Sequence, residues 1–423
     1  MDFMLPTATD NGARLAAILP TGIAAVARGA GLDPEAALDG AFGARGIDGH
    51  GVGIRRPLDP DRLPSLRSFV VVVVDGLGHA NLAERKGHAP VLASLQRRRI
   101  ETVAPSTTGA ALTSLTTGRL PGEHGLIGYR IRHPELGLLT TLRDWDGIAD
   151  RGSWQRAEPL FGLAASLGAR AIAIGRPAHA AGGLTGAILT GAEYHPGQRI
   201  DDRFAIASAL LRSGDPSVVY LYIDELDKAA HEHGWQSEAW VRRLEQLDAA
   251  LGDFLRALPG GVGVAVTADH GIVDIAGHQQ VMLDADPARF SDVESVGGEP
   301  RLRSLYLREG VDAEAAARSW AEAEGDRAWV VTREQAVSSG SFGDVAAEVA
   351  ARLGDVLIAA RKRVAYYCED DDPRALAMVG QHGSFSEEER GVPLALAGAL
   401  AGTGFAAAVA DVAGLVPGAA QTR

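Results

Sequence analysis

Short stretches of this chain place carboxylates and imidazoles directly after runs of β-branched residues, an arrangement suited to holding cations. Phe69 to Val74 ends in Asp75-Gly76, and Val262 to Thr267 is followed by Ala268-Asp269-His270-Gly271. Val218 to Tyr222 leads into Ile223-Asp224-Glu225-Leu226-Asp227, with His231 one helical turn further on. By itself an Asp-Gly pair after a strand is turn chemistry, and Asp-x-x-x-His also occurs as a plain ion pair on a helix. Four residues apart, however, Asp227 and His231 share one helical face within reach of a single ion. A later segment, Gly380-Gln381-His382-Gly383, sets another histidine beside flexible glycines. Jointly these residues suffice for two cation sites, with a ligand mix suited to zinc or manganese. A nucleophile candidate lies in Ala104-Pro105-Ser106-Thr107-Thr108-Gly109. Thr107 and Thr108 read either as helix N-caps or as a hydroxyl at a positively polarised helix end, where it can attack an anionic phosphorus centre once a cation lowers its pKa.

The elements that must position these groups read as a parallel α/β body. The apolar runs Phe69 to Val74, Ala171 to Gly175, Val218 to Tyr222, Val262 to Thr267 and Val392 to Leu396 are continuous rather than alternating, the pattern of strands covered on both faces. Amphipathic stretches separate them, for instance Glu238 to Ala257, whose Trp240, Leu244, Leu247, Leu251, Phe254 and Leu255 form one face. In open sheets of this kind ligands bind beyond the carboxyl ends of the strands, where the Asp and His residues fall. The expected fold is an α/β/α sandwich with a mostly parallel central sheet, its core spanning residues 66–277 and 379–423. Residues 1–65, closing with the stretch Pro57 to Pro64, read as an N-terminal extension. Residues 278–378 interrupt the pattern and read as an inserted, smaller cap region. Its expected helices are Asp312 to Glu324 and Phe342 to Arg352, and its expected strands are Arg303 to Leu307, Trp329 to Thr332 and Val364 to Tyr367.

Composition narrows the function classes. The chain has 423 residues, 41 basic against 54 acidic side chains and a net charge of −13, which argues against a broad surface for polymeric nucleic acid. A small anionic substrate remains compatible if metal ions bring the positive charge. The single cysteine, Cys368, forms no intrachain disulfide. The uncharged stretch Leu15 to Ala27 contains Pro20 and lacks a basic flank, so no secretory signal or membrane anchor is expected and the cytoplasm is the expected location. Val392 to Ala410 is uncharged but rich in Ala and Gly, and reads as a buried strand followed by a small-residue helix rather than a membrane span.

The order Asp75-Gly, Pro-Ser-Thr-Thr with Thr-Gly-x-x-Pro-x-x-His-Gly (Thr117 to Gly125), Glu-Leu-Asp-x-x-x-His-x-x-Gly (Glu225 to Gly234), Asp269-His270-Gly271 and His382-Gly383 resembles the type I phosphodiesterase and nucleotide pyrophosphatase family of the alkaline phosphatase superfamily. It is most similar to the actinobacterial branch that includes cyclic di-AMP phosphodiesterases. The resemblance implies a hydrolase with two divalent metal ions, zinc or manganese. One ion would be held by Asp227, His231 and His382, and the other by Asp75, Asp269, His270 and the oxygen of the nucleophile, Thr108. It further implies phosphodiester hydrolysis through a phospho-threonine, with a small nucleotide as substrate and cyclic di-AMP, cleaved to pApA and AMP, as the expected one. A nucleotide pyrophosphatase, a phosphonoacetate-hydrolase-like enzyme and a metal-stabilised nucleotide-binding protein are the alternatives. Tyr129 and Arg130, with Trp145 and Trp154 nearby, are candidates for stacking a base and holding a distal phosphate; packing residues and surface charges are the plainer reading.

Overall fold

The computed structural model describes residues 4–6, 10–43, 58–59 and 61–420. Eleven strands build its two larger sheets. β1 (Ser68–Val74), β2 (Gln96–Glu101), β3 (Arg170–Gly175), β4 (Glu193–Pro196), β5 (Ser217–Ile223) and β6 (Val262–Thr267) enter the first sheet. β7 (Val293–Glu299), β8 (Leu302–Leu307), β9 (Ala328–Thr332) and β10 (Val356–Ala360) form the second, and β11 (Gly391–Gly398) returns to the first. The first sheet has the order β2-β11-β6-β1-β5-β3-β4. β1 runs parallel to β5 and β6, whereas β11 is antiparallel to both of its neighbours. This is the α/β architecture with a mostly parallel central sheet expected from the continuous Val-rich runs.

Every residue of β1 and β6 is buried, which is why their sequences show no polar alternation. Pro393 sits within β11, but β11 pairs with β6 only from Ala395 onward, so the missing N–H lies outside that ladder. Helix α1 (Ala13–Gly29) is buried from Leu15 through Ala27 and belongs to the same apolar core as β1. Its Gly22 permits the approach: a Cβ there would lie 2.1 Å from the Phe69 ring. That ring also packs 5.7 Å from Phe405, on the helix Phe405–Ala413 that follows β11. Among the described residues no helix is long and apolar enough to cross a membrane.

The second sheet has the order β7-β8-β10-β9, all antiparallel, and the helix Ala313–Glu324 contributes buried Trp320 to its core. A buried two-pronged ion pair, Arg301 to Glu389 at 3.0 and 2.6 Å, ties it to the segment entering β11. The helix expected over Phe342 to Arg352 is mostly absent, and only Ala347–Ala350 is helical. Gly340 and Gly343 take positive φ values of 71° and 77°, breaking the chain into turns, while Phe342 is fully buried as an anchor.

Candidate active site

The strand ends deliver the acidic and imidazole groups. Asp75 follows β1 directly, Asp269 and His270 follow β6 after one residue, Thr108 begins helix α2 (Thr108–Thr117), and β5 feeds helix α3 (Glu225–His233). Helix α3 carries Asp227 and His231 on one face, with His231 Nε2 3.2 Å from Asp227 Oδ2. Gly76, at φ +71°, lets the turn after β1 come against α3, since a Cβ there would lie 3.1 Å from the Asp227 Cα. His382 directly follows the short strand Gly380–Gln381, which pairs with Val273–Asp274. Its ring stacks on His270 with centroids 3.5 Å apart and planes 13° apart.

Each of the three imidazoles has its Nδ1 against a main-chain carbonyl: His231 on Gly380 at 2.7 Å, His382 on Ser106 at 2.8 Å and His270 on Gly271 at 3.1 Å. With the proton on Nδ1 serving the carbonyl, each Nε2 presents its lone pair, the tautomer a metal ligand needs. Thr108 opens α2, and the residue before it, Thr107, makes no side-chain cap hydrogen bond. Neither hydroxyl is therefore spent as a cap on that helix. Thr108 Oγ1 lies 3.2 Å from His270 Nε2, and that nitrogen is also 3.4 Å from Asp75 Oδ1 and 3.5 Å from Asp269 Oδ2.

The carboxylates are crowded and incompletely satisfied. Asp75 Oδ1, Asp227 Oδ1 and Asp269 Oδ2 are buried without a hydrogen-bond partner. Burial, then repulsion from Asp227 and Asp269, raises the Asp75 carboxyl well above the ordinary range. Burial alone would raise Asp227 too, but the neighbouring His231, His382 and His270 hold it below its ordinary value. Burial, reinforced by His270, pushes His382 well below the usual imidazole range. Orphaned buried oxygens facing imidazole Nε2 atoms are what a cation would satisfy. Donor atoms of Asp227, His231 and His382 lie within 4.8 Å of one another, as do those of Asp75, Asp227 and His270. The donor set therefore fits divalent metal.

A network of opposite charges fixes the start of α3. Fully buried Arg203 donates to the Tyr222 carbonyl at 2.8 Å and pairs with Glu225, while Arg176 pairs with Asp224 at 2.9 Å and Glu225 at 3.1 Å. His179 and Lys228 also meet Asp224. The cluster opens into a cavity of about 1100 Å³ whose walls include Asp75, Thr107, Thr108, Asp227, His231 and His382, together with Tyr129, Arg143, Tyr194 and Glu299. Arg130 is exposed at the start of the hairpin strand Arg130–His133 and does not line this cavity, whereas Arg143 does. Trp145 and Trp154 are buried packing residues of a second apolar cluster. Arg143 and Glu299 were not legible as site residues, because each stands alone in its stretch of sequence; Tyr220 and Tyr222 were hidden as part of an apolar strand.

The sheet order and the Asp/His cluster at its carboxyl edge define an α/β protein with a candidate cation site at the strand ends. Residues 69–385 match the family described as type I phosphodiesterase / nucleotide pyrophosphatase, and the chain belongs to that family. No curated protein matches the chain. Among solved structures, murine ectonucleotide pyrophosphatase/phosphodiesterase 5 is similar with a TM-score of 0.61 at 18% identity, over 78% of this chain and 87% of that one. The murine protein has also been solved in an inactive form with AMP, with a TM-score of 0.60 at 18% identity and the same 78% and 87% coverage. Phosphonoacetate hydrolase from Sinorhizobium meliloti, in complex with phosphonoacetate, is similar with a TM-score of 0.61 at 20% identity, over 84% and 97% of the two chains. At these identities the likeness establishes a common fold.

Proposed function

We propose that this protein is a two-metal phosphodiesterase that hydrolyses a nucleotide phosphodiester, cyclic di-AMP to pApA and AMP, through a phospho-threonine on Thr108. The observation that carries this reading is the Thr108 hydroxyl 3.2 Å from His270 Nε2, within a buried Asp/His cluster that fits divalent metal. Asp227, His231 and His382 would hold one ion, and Asp75, Asp269, His270 and the Thr108 oxygen the other. Bound there, two divalent ions would supply the positive charge that favours an ionised hydroxyl and neutralises the oxygens on either side of phosphorus. Thr108 Oγ1 then forms a bond to phosphorus as the bond to the leaving oxygen breaks, and hydrolysis returns the free hydroxyl. The main-chain carbonyls of Gly271, Gly380 and Ser106 keep the three imidazoles in the tautomer that faces the cluster.

Cavity size favours a nucleotide over a two-carbon phosphonate. About 1100 Å³ is at the upper end for small-molecule sites, roughly 300–1,000 Å³, and Tyr129 and Tyr194 on its walls offer faces for a base. The AMP bound by the murine neighbour supports the same class. The test is chromatography of cyclic di-AMP, pApA, a dinucleoside polyphosphate and phosphonoacetate after incubation with wild type, Thr108→Ala and Asp269→Asn, each with manganese or zinc. Cleavage of cyclic di-AMP by wild type and neither variant is expected. Turnover of phosphonoacetate alone would assign the phosphonate reaction, and no turnover with two metals bound would assign a binding protein.

A further inference from the structure

Among the described residues, Glu299 is the one buried carboxyl on the cavity wall that neither the cation cluster nor an ion pair explains. It ends β7 and is 4% exposed, with Oε2 accepting the Tyr129 N–H at 3.1 Å and Oε1 buried without a partner. Asp75 and Asp227 have imidazoles against them, and Asp224 has Arg176. Glu299 has no ion pair among the described residues. Its stem is seated against the loop after His382, for a Cβ on Gly383, at φ +130°, would lie 2.3 Å from the Glu299 Cγ. An apolar side chain would fill this place without the cost of an unsatisfied buried acid. Glu299 lines the cavity beside Tyr129, so a ligand there is placed to meet its carboxyl.

We propose that Glu299 is a specificity-determining residue whose carboxyl hydrogen-bonds the polar edge of a nucleobase lying against Tyr129. The proposal rests on the nucleotide reading above. A phosphate is the wrong occupant, since it brings only acceptors and negative charge to an acid. A base edge with an amine beside a ring nitrogen presents one donor and one acceptor, the complement of a neutral carboxyl. Burial raises the Glu299 carboxyl to about 8, which keeps the proton, and so both functions, on it at neutral pH. Tyr129 is next to it through the main-chain hydrogen bond and lines the same cavity.

The test compares Glu299→Leu and Glu299→Gln with wild type on cyclic di-AMP and on bis(p-nitrophenyl) phosphate, a diester without a base, and measures cyclic di-AMP binding in a Thr108→Ala background. Glu299→Leu is expected to lower kcat/KM for cyclic di-AMP about ten- to a hundredfold, mainly through KM, and to weaken binding by a similar factor. The loss on the base-free diester should be at least about tenfold smaller. Glu299→Gln, which keeps a donor and an acceptor, should recover most of the binding. Equal losses on both substrates would make Glu299 a packing residue and overturn the proposal, as would unchanged cyclic di-AMP binding in Glu299→Leu. If wild type hydrolyses the base-free diester but neither cleaves nor binds a nucleotide, base reading fails while the phosphodiesterase reading stands. If it hydrolyses no diester, the functional reading itself fails, and the binding measurement alone decides for Glu299.

Discussion

Replacing Asp75 by Asn should stabilise the metal-free protein while removing part of its response to metal. Three buried carboxylates, Asp75, Asp227 and Asp269, each leave an oxygen without a hydrogen-bond partner, and Asp75 is repelled by the other two. An Asn at that position still accepts from the Tyr222 hydroxyl that now meets Asp75. Relief of an unsatisfied buried group amounts to roughly 1–3 kcal/mol. Converted at roughly 2 °C per kcal/mol, the lower end for large domains, the metal-free variant should melt about 2–6 °C above wild type. Metal at a hundredfold excess over Kd adds about 2.7 kcal/mol per site, or about 5 kcal/mol for two sites, and thus roughly 10 °C for wild type. Asp75→Asn keeps the set Asp227, His231 and His382, so its increment should be about half as large. The assay is differential scanning calorimetry at one scan rate, with EDTA and with manganese or zinc, and a metal count by mass spectrometry. A metal-free variant less stable than wild type, or equal metal increments in the two proteins, would refute the reasoning.

Arg203→Met should destabilise the protein by about 3–5 kcal/mol in denaturant unfolding, because it strands buried Glu225 and frees the Tyr222 carbonyl; a loss under 1 kcal/mol would show that Arg176 alone carries the network. The raised Glu299 carboxyl has a stability signature as well. Its protonated form is favoured by folding, so its contribution is complete below the unfolded value of 4.5 and is lost as pH rises toward about 8. Glu299→Gln should therefore gain on wild type between pH 5 and 8, by up to about 1.4 kcal/mol per pH unit, and a difference that is flat with pH would contradict this. Gly271→Ala should lose both stability and metal binding, since the new Cβ would lie 2.0 Å from the Glu388 carbonyl oxygen and 2.9 Å from the Gly78 Cα; wild-type metal content in a folded variant would count against that packing.

The main sheet was legible because strands buried on both faces become unbroken apolar runs: Val262 to Thr267 in sequence is Val262–Thr267 in the fold. The acidic and imidazole groups were legible because they follow those runs immediately. β2 was not, since Gln96–Glu101 is an edge strand with three successive arginines, which hide the pattern. Phe342 to Arg352 has helical composition but is held in turns by left-handed Gly340 just before it, left-handed Gly343 within it and one buried ring. Glu299 carries no signal of its own, as an acid closing a strand reads as a solvated turn until the fold buries it.

Where these groups originate suggests how chemistry and selectivity are divided. Asp75, Asp227, Asp269 and His270 all follow strands of the main sheet, and Thr108 opens a helix packed beside α1. Glu299 comes instead from the second sheet, inserted between β6 and β11. His382 joins the two, since it leaves the insertion to stack on His270 at 3.5 Å, and Arg301 pairs with Glu389 just beyond it. The cluster therefore draws one of its imidazoles from beyond the second sheet, whereas the cavity wall that sheet supplies can vary without altering the strand ends. On the proposed function the main sheet would carry the reaction, and the residues that select the substrate are to be sought on the second sheet and on the Tyr129 to Arg143 segment that faces it.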